Sequence, residues 1–415
     1  MEKLQPVRGT HDLLPDDMRR HRFVTDTARE WTERYGYAEL ATPVFEFTEV
    51  FQRTLGETTD VVTKEMYTFV DRGGDSITLR PEFTAGIVRA LISNGLAQQL
   101  PLKFFCTGPV FRHERPQKGR MRQFHQINVE VFGVADPGAD VEVIALGQDI
   151  LAALGVAPQV QLEINSLGDS DSRAAYRDVL VDYFTANAPD LSDDSKTRLI
   201  KNPLRILDSK DPDDRKLVAE APKFADSLNA ESQDFFAAVR AGLDALGIAY
   251  TVNDRLVRGF DYYSHTAFEF TTTALGAQGT VIGGGRYDGL VSVMGGPATP
   301  AVGWGGGVER LALLLAAAPQ PHHPVAIVPV GEQGEALAPK IARDLRSHGY
   351  RVELGFSGSL AKRMKRADKV GARAAVLLGD DEIAKGIATV RDLAHGTQTA
   401  VPLDRLVDAL QFYLH

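Results

Sequence analysis

The chain has 415 residues, 44% of them hydrophobic and 24% charged, which is the composition of a globular protein with two or three domains. Its 46 basic and 55 acidic residues give a formal net charge of −9, which argues against a generic polyanion-binding protein. Any contact with nucleic acid must therefore come from local basic patches.

The sequence gives no sign of a membrane or secreted protein. No apolar run approaches the roughly 20 residues of a membrane span, and the N-terminal residues are too polar for a signal peptide. A single cysteine, Cys106, excludes an internal disulfide and a cysteine-built zinc site. We therefore expect a cytoplasmic protein without a membrane partner.

In chain order, the first elements alternate between helices and strands. Apolar residues at near-helical spacing predict a helix over residues 17–35. "SITLRPEFTAGIVRALIS" predicts a strand that passes through Pro81 into a helix, and "VEVIALGQDILAAL" predicts a buried helix. Residues 168–225 are rich in Asp, Ser, Lys and Arg with little β signal, so we interpret them as a helical insertion.

The remaining elements divide the chain into two domains. "AAPQPHHP", from Ala317 to Pro324, has three prolines in eight residues and is typical of a linker. Before it, clustered strands with long loops favour an antiparallel α+β domain over residues 1–320. After it, strands and helices alternate over residues 325–415, which predicts a small α/β domain with a parallel or mixed sheet.

The segment "FRHERPQKGRMRQFHQINVEVFG" concentrates positive charge in an acidic chain. It carries five Arg or Lys residues in the eleven positions from Arg112 to Arg122. Its flanks predict two strands of a hairpin, and alternation places Phe124, Gln126, Asn128, Glu130 and Phe132 on one face. A polar face below a cationic loop suits a ligand with a polyphosphate at one end and a small polar group at the other.

Two other interpretations of this hairpin remain open from the residues alone. It could be a solvated surface hairpin with a charged turn, although solvated faces rarely place Gln and Glu between Phe residues. A metal site built from His113 and His125 is disfavoured because no HExxH or similar spacing is present, so we predict no metal held by the protein alone. The chain also lacks a P-loop, so arginines would have to hold the phosphates of any ATP.

Several motifs together resemble the class II aminoacyl-tRNA synthetases, and specifically the histidyl-tRNA synthetase family. "TPVFE", the basic hairpin and "AVGWGGGVERL" resemble the three class II motifs, in that order. "LVRGFDYY" and "GGGRYDGL" are similar to the two histidyl signatures. The resemblance implies an antiparallel catalytic sheet of six or seven strands, a helical insertion, a C-terminal anticodon-binding α/β domain and a homodimer formed around the first motif.

The resemblance also implies a site for ATP with Mg²⁺ and for L-histidine. For ATP it implies contacts from Arg112 to the α-phosphate, Arg310 to the γ-phosphate, and Glu114, Arg120 and Phe124. Arg258 and Arg112 are the implied catalytic residues, and both are also implied to bind histidine. Arg258 is the family's distinctive arginine, set between the substrate carboxylate and the α-phosphate. The other implied histidine-binding residues are Glu82, Thr84, Gln126, Glu130, Tyr262, Tyr263 and Tyr287.

Two basic segments are implied to meet tRNA. Gln117 and Lys118 lie in the hairpin loop, where the family meets the acceptor end. In "LAKRMKRADKVG", Leu360, Met364 and Ala367 share one helical face, and the cations lie elsewhere around the helix. The cations expected to meet RNA phosphates are Lys362, Arg363, Lys365 and Arg366. A solvated cationic helix is the alternative.

The predicted function is ATP-dependent activation of histidine and its transfer to the cognate tRNA. The main alternative is a non-catalytic regulatory paralogue of histidine biosynthesis, which would lack the anticodon domain and tend to lose the second motif and Arg258. An RNA-binding module without catalysis would not need Arg258, Tyr263 and Arg310 together. Phe83, Met121 and Trp304 depart from the usual family wording.

Overall fold

A computed structural model describes residues 3–55, 59, 61–117, 119–207, 209, 211–258, 260, 262–276 and 279–414. The chain separates into two compact units, Met1–Pro319 and Gln320–His415.

The first unit has strands β1 Ala38–Glu39, β2 Phe45–Phe47, β3 Tyr67–Val70, β4 Ser76–Leu79, β5 Leu102–Phe111, β6 Gln123–Phe132, β7 Gln161–Ser166, β8 Thr251–Val252, β9 Ser264–Thr271, β10 Thr280–Arg286 and β11 Ala301–Gly307. Its helices are α1 Pro15–Arg34, α2 Thr48–Leu55, α3 Thr84–Ser93, α4 Gly138–Ala153, α5 Ser170–Ala186, α6 Asp193–Lys201, α7 Pro212–Glu220, α8 Ala230–Ala245, α9 Leu290–Val293 and α10 Val308–Leu314.

The centre of the first unit is an eight-stranded sheet in the order β1-β5-β6-β11-β10-β9-β7-β8. All inner pairs are antiparallel, and only the two-residue edge strands β1 and β8 pair in parallel. These two edge strands account for the difference from the six or seven strands that the family resemblance implied. The antiparallel α+β architecture itself is confirmed.

The basic hairpin is formed by β5 and β6, as predicted. Leu102 lies opposite Phe132 and Phe111 opposite Gln123, so the two ten-residue strands pair along their whole length. One face of β6 buries Ile127, Val129 and Val131 in the main core. This core continues onto α4, α1 and α10, and it fixes the opposite, polar face of β6.

The helical insertion has a small core of its own. Tyr176, Leu180, Phe184, Ile206 and Phe224 are all buried together. The Asp and Ser residues that marked this segment in the sequence act as helix N-caps: the side chains of Asp169, Ser192 and Asp211 accept hydrogen bonds from backbone N–H groups. Helix α8 then returns to the main core.

A second, three-stranded sheet of the first unit has the order β2-β4-β3. It exposes an unusual number of apolar side chains. Phe45 and Phe47 are each 54% exposed, and Phe69 and Val70 are 48% and 69% exposed. Among the residues that the structure describes, no helix is both long and apolar enough to cross a membrane.

The second unit has a five-stranded mixed sheet in the order β13-β12-β14-β15-β16. Its strands are β12 Val325–Pro329, β13 Val352–Leu354, β14 Ala374–Leu378, β15 Ile387–Asp392 and β16 Gln398–Pro402. Its helices are α11 Gly331–Ser347, α12 Leu360–Lys369, α13 Asp380–Ala384 and α14 Leu406–Ala409. Strand β12 is parallel to β13 and β14, whereas β15 and β16 continue in antiparallel pairing, so the predicted mixed sheet is confirmed.

Helix α12 is rotated relative to the sequence-based prediction. Leu360 is 43% exposed, whereas Arg363 is buried at 6% exposure. The Arg363 guanidinium donates to the carbonyl oxygen of Pro329 and, at 2.6 Å, to Glu335 Oε1. Arg363 therefore anchors the helix to its own unit, and the prediction that it lies on an exposed RNA-binding surface is wrong.

Candidate active site

The first unit contains a cavity of about 360 Å³ between the hairpin, β9, β10 and β11. Its wall is dominated by charged, amide and aromatic side chains. The polar and aromatic side chains on its wall include Glu82, Thr84, Arg112, Glu114, Arg120, Phe124, Gln126, Asn128, Arg258, Tyr262, Tyr263, Glu269, Thr280, Glu309 and Arg310. Most of them belong to the motifs that the sequence singled out.

One end of the cavity is strongly cationic. Arg310 is held by two backbone carbonyls, with Nε donating to Gly119 at 2.9 Å and Nη1 to Thr280 at 2.6 Å. Arg112 Nε donates to the carbonyl of Pro81 at 2.9 Å, and its guanidinium lies 5.5 Å from the Phe124 ring centroid. Burial, followed by the nearby charges of Arg120 and Arg112, lowers the pKa of Arg310. These cations are fixed in place and close together, which suits them to bind an anion of several charges.

The Glu114 carboxylate partly balances this end. Glu114 forms an ion pair with Arg120 and lies 4.0 Å from Arg112 Nη1. Its side chain is only 7% exposed. One buried carboxylate among three guanidinium groups leaves net positive charge for a ligand, and it offers an acceptor for a polar group stacked on Phe124.

Glycines make room for polar side chains in the middle of the sheet. Gly305 lies opposite Asn128, and a Cβ on Gly305 would be 3.0 Å from Asn128 Nδ2. A Cβ on Gly303 would overlap with Glu130 Oε2. On β10, a Cβ on Gly283 would lie 2.8 Å from both terminal nitrogens of Arg258. The Gly-rich strands are therefore required by the side chains that cross them.

The opposite end of the cavity holds two buried carboxyl groups. Glu82 accepts from the backbone N–H groups of Thr84 and Ala85, at 2.5 and 2.8 Å. Glu130 accepts from Thr84 Oγ1 at 2.7 Å and from the Tyr287 hydroxyl. Burial raises the pKa of both carboxyl groups, that of Glu130 to about 8. A cationic or N–H-bearing ligand group would favour their ionised forms.

Arg258 lies between the two ends. Its guanidinium forms an ion pair with Glu269 and lies 5.4 Å from the centroid of the Tyr263 ring. Glu269 Oε2 also accepts from Thr280 Oγ1 at 2.8 Å. The arginine is thus aligned by a carboxylate and an aromatic face, and it can interact with an anionic group held at mid-cavity.

Two further acceptors on β6 have no hydrogen-bond partner within the described part of the chain. They are the side-chain oxygens Gln126 Oε1 and Asn128 Oδ1, both buried on the cavity side. Buried polar atoms are normally satisfied. Their lack of a partner indicates that a ligand donor belongs there. The cavity therefore offers cations at one end and hydrogen-bond acceptors at the other.

Comparisons with known proteins agree with this geometry. The sequence model of the family "Histidyl-tRNA synthetase" matches residues 9–311, and that of "Anticodon binding domain" matches residues 324–412. The chain belongs to the histidyl-tRNA synthetase family.

Full-length relatives support the assignment to this family. A protein of Rhodospirillum rubrum named histidine–tRNA ligase is 58% identical over 418 residues, covering 100% of both chains. One of Gluconacetobacter diazotrophicus with the same name is 55% identical over 410 residues, covering 99% of both. The crystal structure of apo S. aureus histidyl-tRNA synthetase has a TM-score of 0.84 and 34% identity, and it covers 98% of this chain and 99% of that one.

The structure brings together most of the residues that the family motifs implied, and two of them lie deeper than expected. Glu130 and Tyr287 are each 1% exposed and lie behind the cavity wall, where the Tyr287 hydroxyl donates a hydrogen bond to the Glu130 carboxylate. The prediction that Tyr287 lines the pocket is therefore wrong in its placement. The reason is the missing side chain at Gly303, which lets the Glu130 carboxylate move into the sheet.

The residues implied for tRNA lie on the hairpin loop of the first unit and on α12 of the second. Gln117 is exposed on the hairpin loop, where it pairs with Arg120 as an isolated bridge. Lys118 lies outside the described residues. Lys362, Lys365 and Arg366 are exposed on α12 of the second unit, and Arg366 pairs with Glu353 at 2.5 Å.

Three wall residues that this chemistry needs had no role assigned from the sequence. Glu269 aligns Arg258, and its signal was a carboxylate between two buried phenylalanines, Phe268 and Phe270. Glu309 accepts from the backbone N–H of His125. Asn128 was placed on the polar face of β6 without a function. All three could be assigned only from contacts between different strands and helices, which the sequence does not show.

Proposed function

We propose that this protein is a histidine–tRNA ligase that forms histidyl-adenylate from L-histidine and ATP and then transfers histidine to its tRNA. The observation that carries the proposal is one cavity with Arg112, Arg120 and Arg310 at one end and buried acceptors at the other. Arg258 lies between the two ends. The relatives named histidine–tRNA ligase support the same substrates.

In the first step an oxygen of the histidine carboxylate attacks the α-phosphorus of ATP. The bond between that phosphorus and the bridging oxygen of the β-phosphate breaks, and pyrophosphate leaves with the electron pair. Arg112 is placed to hold the α-phosphate, and Arg310 the γ-phosphate of a bent ATP, while Phe124 stacks on adenine beside Glu114. Fixed guanidinium groups stabilise charge that develops on the phosphate oxygens without reorganising.

Arg258 is proposed to bridge the reacting groups. Its position at mid-cavity allows it to contact both the substrate carboxylate and the α-phosphate, which brings two anions together. Its ion pair with Glu269 and its contact with Tyr263 hold the guanidinium plane. Positioning of this kind converts a bimolecular attack into an effectively unimolecular one.

The amino-acid end is proposed to select histidine. Glu82, Thr84 and Gln126 take the α-ammonium group, and Glu130 with Tyr263 satisfies the two imidazole nitrogens, within a pocket completed by Tyr262. Tyr287 lies behind this pocket and donates to Glu130. A different amino acid would leave Glu130 buried without an N–H partner. Unpaired buried polar groups can discriminate by a factor of roughly 10⁴ or more.

The residues on the cavity wall fit the Mg²⁺ that ATP carries. Mg²⁺ prefers oxygen ligands and keeps several waters. Glu269 offers carboxylate oxygens next to Thr280, close to the cationic end of the cavity. When bound, the ion would neutralise charge on the phosphate oxygens.

In the second step the 3′-hydroxyl of the terminal adenosine of tRNA attacks the adenylate carbonyl, and AMP leaves. No described side chain is placed so that it must act as the base. Gln117 and Lys118 are proposed to meet the acceptor end. The exposed cations Lys362, Lys365 and Arg366 of the second unit are proposed to contact tRNA phosphates.

A homodimer in the cytoplasm completes the proposal. The exposed aromatic and aliphatic side chains of the β2-β4-β3 sheet, including Phe45, Phe47 and Phe69, form an apolar surface next to the first motif. Surfaces of this kind mark interaction sites. The non-catalytic regulatory paralogue is disfavoured, because the three cavity arginines, Arg258 and an anticodon-binding domain are all present.

Amino-acid-dependent exchange between ATP and pyrophosphate tests this function. With each standard amino acid supplied separately, we expect exchange with histidine alone, since only the first step is needed. Exchange with another amino acid would contradict the specificity. No exchange with any amino acid, from folded protein with Mg²⁺, would contradict the enzymatic function and favour the regulatory paralogue.

A further inference from the structure

A second group of polar side chains lies behind the cationic end of the cavity. His21 of α1, His125 of β6 and Glu309 of α10 come from three distant segments of the first unit. One imidazole nitrogen from each histidine and one Glu309 oxygen lie within 4.8 Å of one another. The proposed adenylation chemistry makes no use of His21.

His21 is the unusual member of this group. The residue is 8% exposed, and its Nε2 has no hydrogen-bond partner in the described structure. Its ring meets the His125 ring edge-on, with centroids 4.5 Å apart and planes at 85°. A buried imidazole nitrogen without a partner is costly unless something binds it.

The other two members are already oriented. Glu309 accepts from the backbone N–H of His125 at 2.9 Å, and its Oε1 lies 2.8 Å from His125 Nδ1. These contacts hold the His125 imidazole and the Glu309 carboxylate side by side, next to His21. Burial, followed by the neighbouring His125, lowers the pKa of His21.

We propose that His21, His125 and Glu309 form a binding site for a divalent transition-metal ion such as Zn²⁺. Two imidazoles and one carboxylate are a donor set that Zn²⁺ uses, with a fourth position left for water or a ligand. Mg²⁺ prefers all-oxygen coordination and would not compete. Glu309 also lines the cavity, so an ion can reach the site through it. This site is additional to the proposed function.

No spacing in the sequence groups these three residues. The rejected metal hypothesis paired His125 with His113, which is exposed and instead contacts the ring of Tyr67, with centroids 5.5 Å apart. His21 is separated from His125 by more than a hundred positions in the chain. Only the packing of α1 on the second strand of the hairpin brings the two imidazoles together.

Titration calorimetry with Zn²⁺ tests the site on untagged full-length protein in a buffer containing Mg²⁺. We expect one Zn²⁺ per chain for the wild type. The His21→Phe variant keeps an aromatic ring against His125 but has no ligand, and we expect at least about tenfold weaker binding, since even losing an outer-shell partner costs that much. His348→Phe is the matched control, because His348 is exposed beside Asp344.

Each outcome decides the proposal. Equal Zn²⁺ binding by His21→Phe and the wild type, or no binding by the wild type, overturns it. Thermal unfolding shows whether His21→Phe is folded. If that variant is not folded, His21→Gln is used in its place.

Cobalt substitution gives an independent readout: we expect visible absorption of a four-coordinate ion in the wild type and its loss in the His21 variant. Adenylation is measured separately, without Zn²⁺. A failure of that reaction would count against the proposed function and not against the zinc site.

Discussion

Two central strands of this molecule bury their side chains in opposite ways. Strand β14 of the second unit, Ala374–Leu378, is built from alanine, valine and leucine throughout. Strand β6 of the first unit buries Asn128 at 4% exposure and Glu130 at 1%. Both strands lie between two neighbours, so position in the sheet does not explain the difference.

The difference comes from the neighbours of the polar residues. Gly303 and Gly305 on β11 leave space opposite Glu130 and Asn128, and Thr84 and Tyr287 provide hydrogen bonds to Glu130. No such arrangement is needed around β14. A polar residue in the centre of a sheet thus requires glycines and fixed donors, and a protein that maintains both is holding a ligand site.

The largest expected effect is on catalysis. In Arg258→Met, we expect kcat for adenylate formation to fall roughly 10²- to 10³-fold, because a fixed charge aimed at the transition state is lost. Histidine and ATP should still bind, since the other contacts remain. Single-turnover adenylate formation measures the effect. Arg89→Met, which removes an ion pair with Glu46 away from the cavity, is the control. A near wild-type rate for Arg258→Met would contradict the role of Arg258.

The next effect is on packing at the glycine positions. In Gly303→Ala, the new methyl group would overlap with Glu130 Oε2 and the carbonyl of Val129. We expect a loss of about 1–3 kcal/mol from the free energy of unfolding of the first unit, which is typical of overpacking. Gly305→Ala is the matched variant: the nearest atom is Asn128 Nδ2 at 3.0 Å, and we expect a smaller loss. Denaturant unfolding compares them, and equal losses would show that Gly303 is not needed for space.

The part of this arrangement that could be predicted from the sequence is the local part. Alternation along β6 identified its polar face, and the Asp- and Ser-rich composition of residues 168–225 correctly indicated a helical insertion. The depth of Glu130, the pairing of Arg258 with Glu269 and the burial of Arg363 could not be predicted. Each depends on a contact between different elements of the fold, and periodicity reports only which face a side chain is on.

A third variant uses the unusual pKa of Glu130. Burial raises this pKa from 4.5 to about 8, so the carboxyl binds a proton in the folded protein that it loses in the unfolded chain at neutral pH. Its contribution to stability is complete below pH 4.5 and is lost as the pH rises to about 8. Glu130→Gln lacks this titration. We expect it to gain a few kcal/mol relative to the wild type between pH 5 and pH 8, at roughly 1 kcal/mol per pH unit.

Unfolding measured at several pH values without ligands checks this expectation. Glu163→Gln, on strand β7 of the same sheet, is a carboxylate-to-amide control outside the cavity wall. A constant difference between Glu130→Gln and the wild type across the pH range would show that Glu130 is ionised in the folded protein.

The smallest effects concern the second unit, where helix α12 carries exposed cations as well as a buried one. Lys362 and Lys365 are exposed, whereas Arg363 donates to the Pro329 carbonyl and to Glu335. If the exposed cations meet RNA phosphates, the double variant Lys362→Gln/Lys365→Gln should weaken tRNA binding by roughly tenfold or less. It should also flatten the salt dependence, because each lost phosphate contact reduces the slope of log K against log salt concentration by about 0.7–0.9.

Arg363→Met should instead destabilise the second unit, because it leaves the Pro329 carbonyl without its donor. Filter binding at several salt concentrations, together with thermal unfolding, separates the two results. An unchanged salt slope in the double variant would mean that α12 is a solvated cationic helix. In that case the buried arginine would be the only one of these three cations with a function in the folded unit.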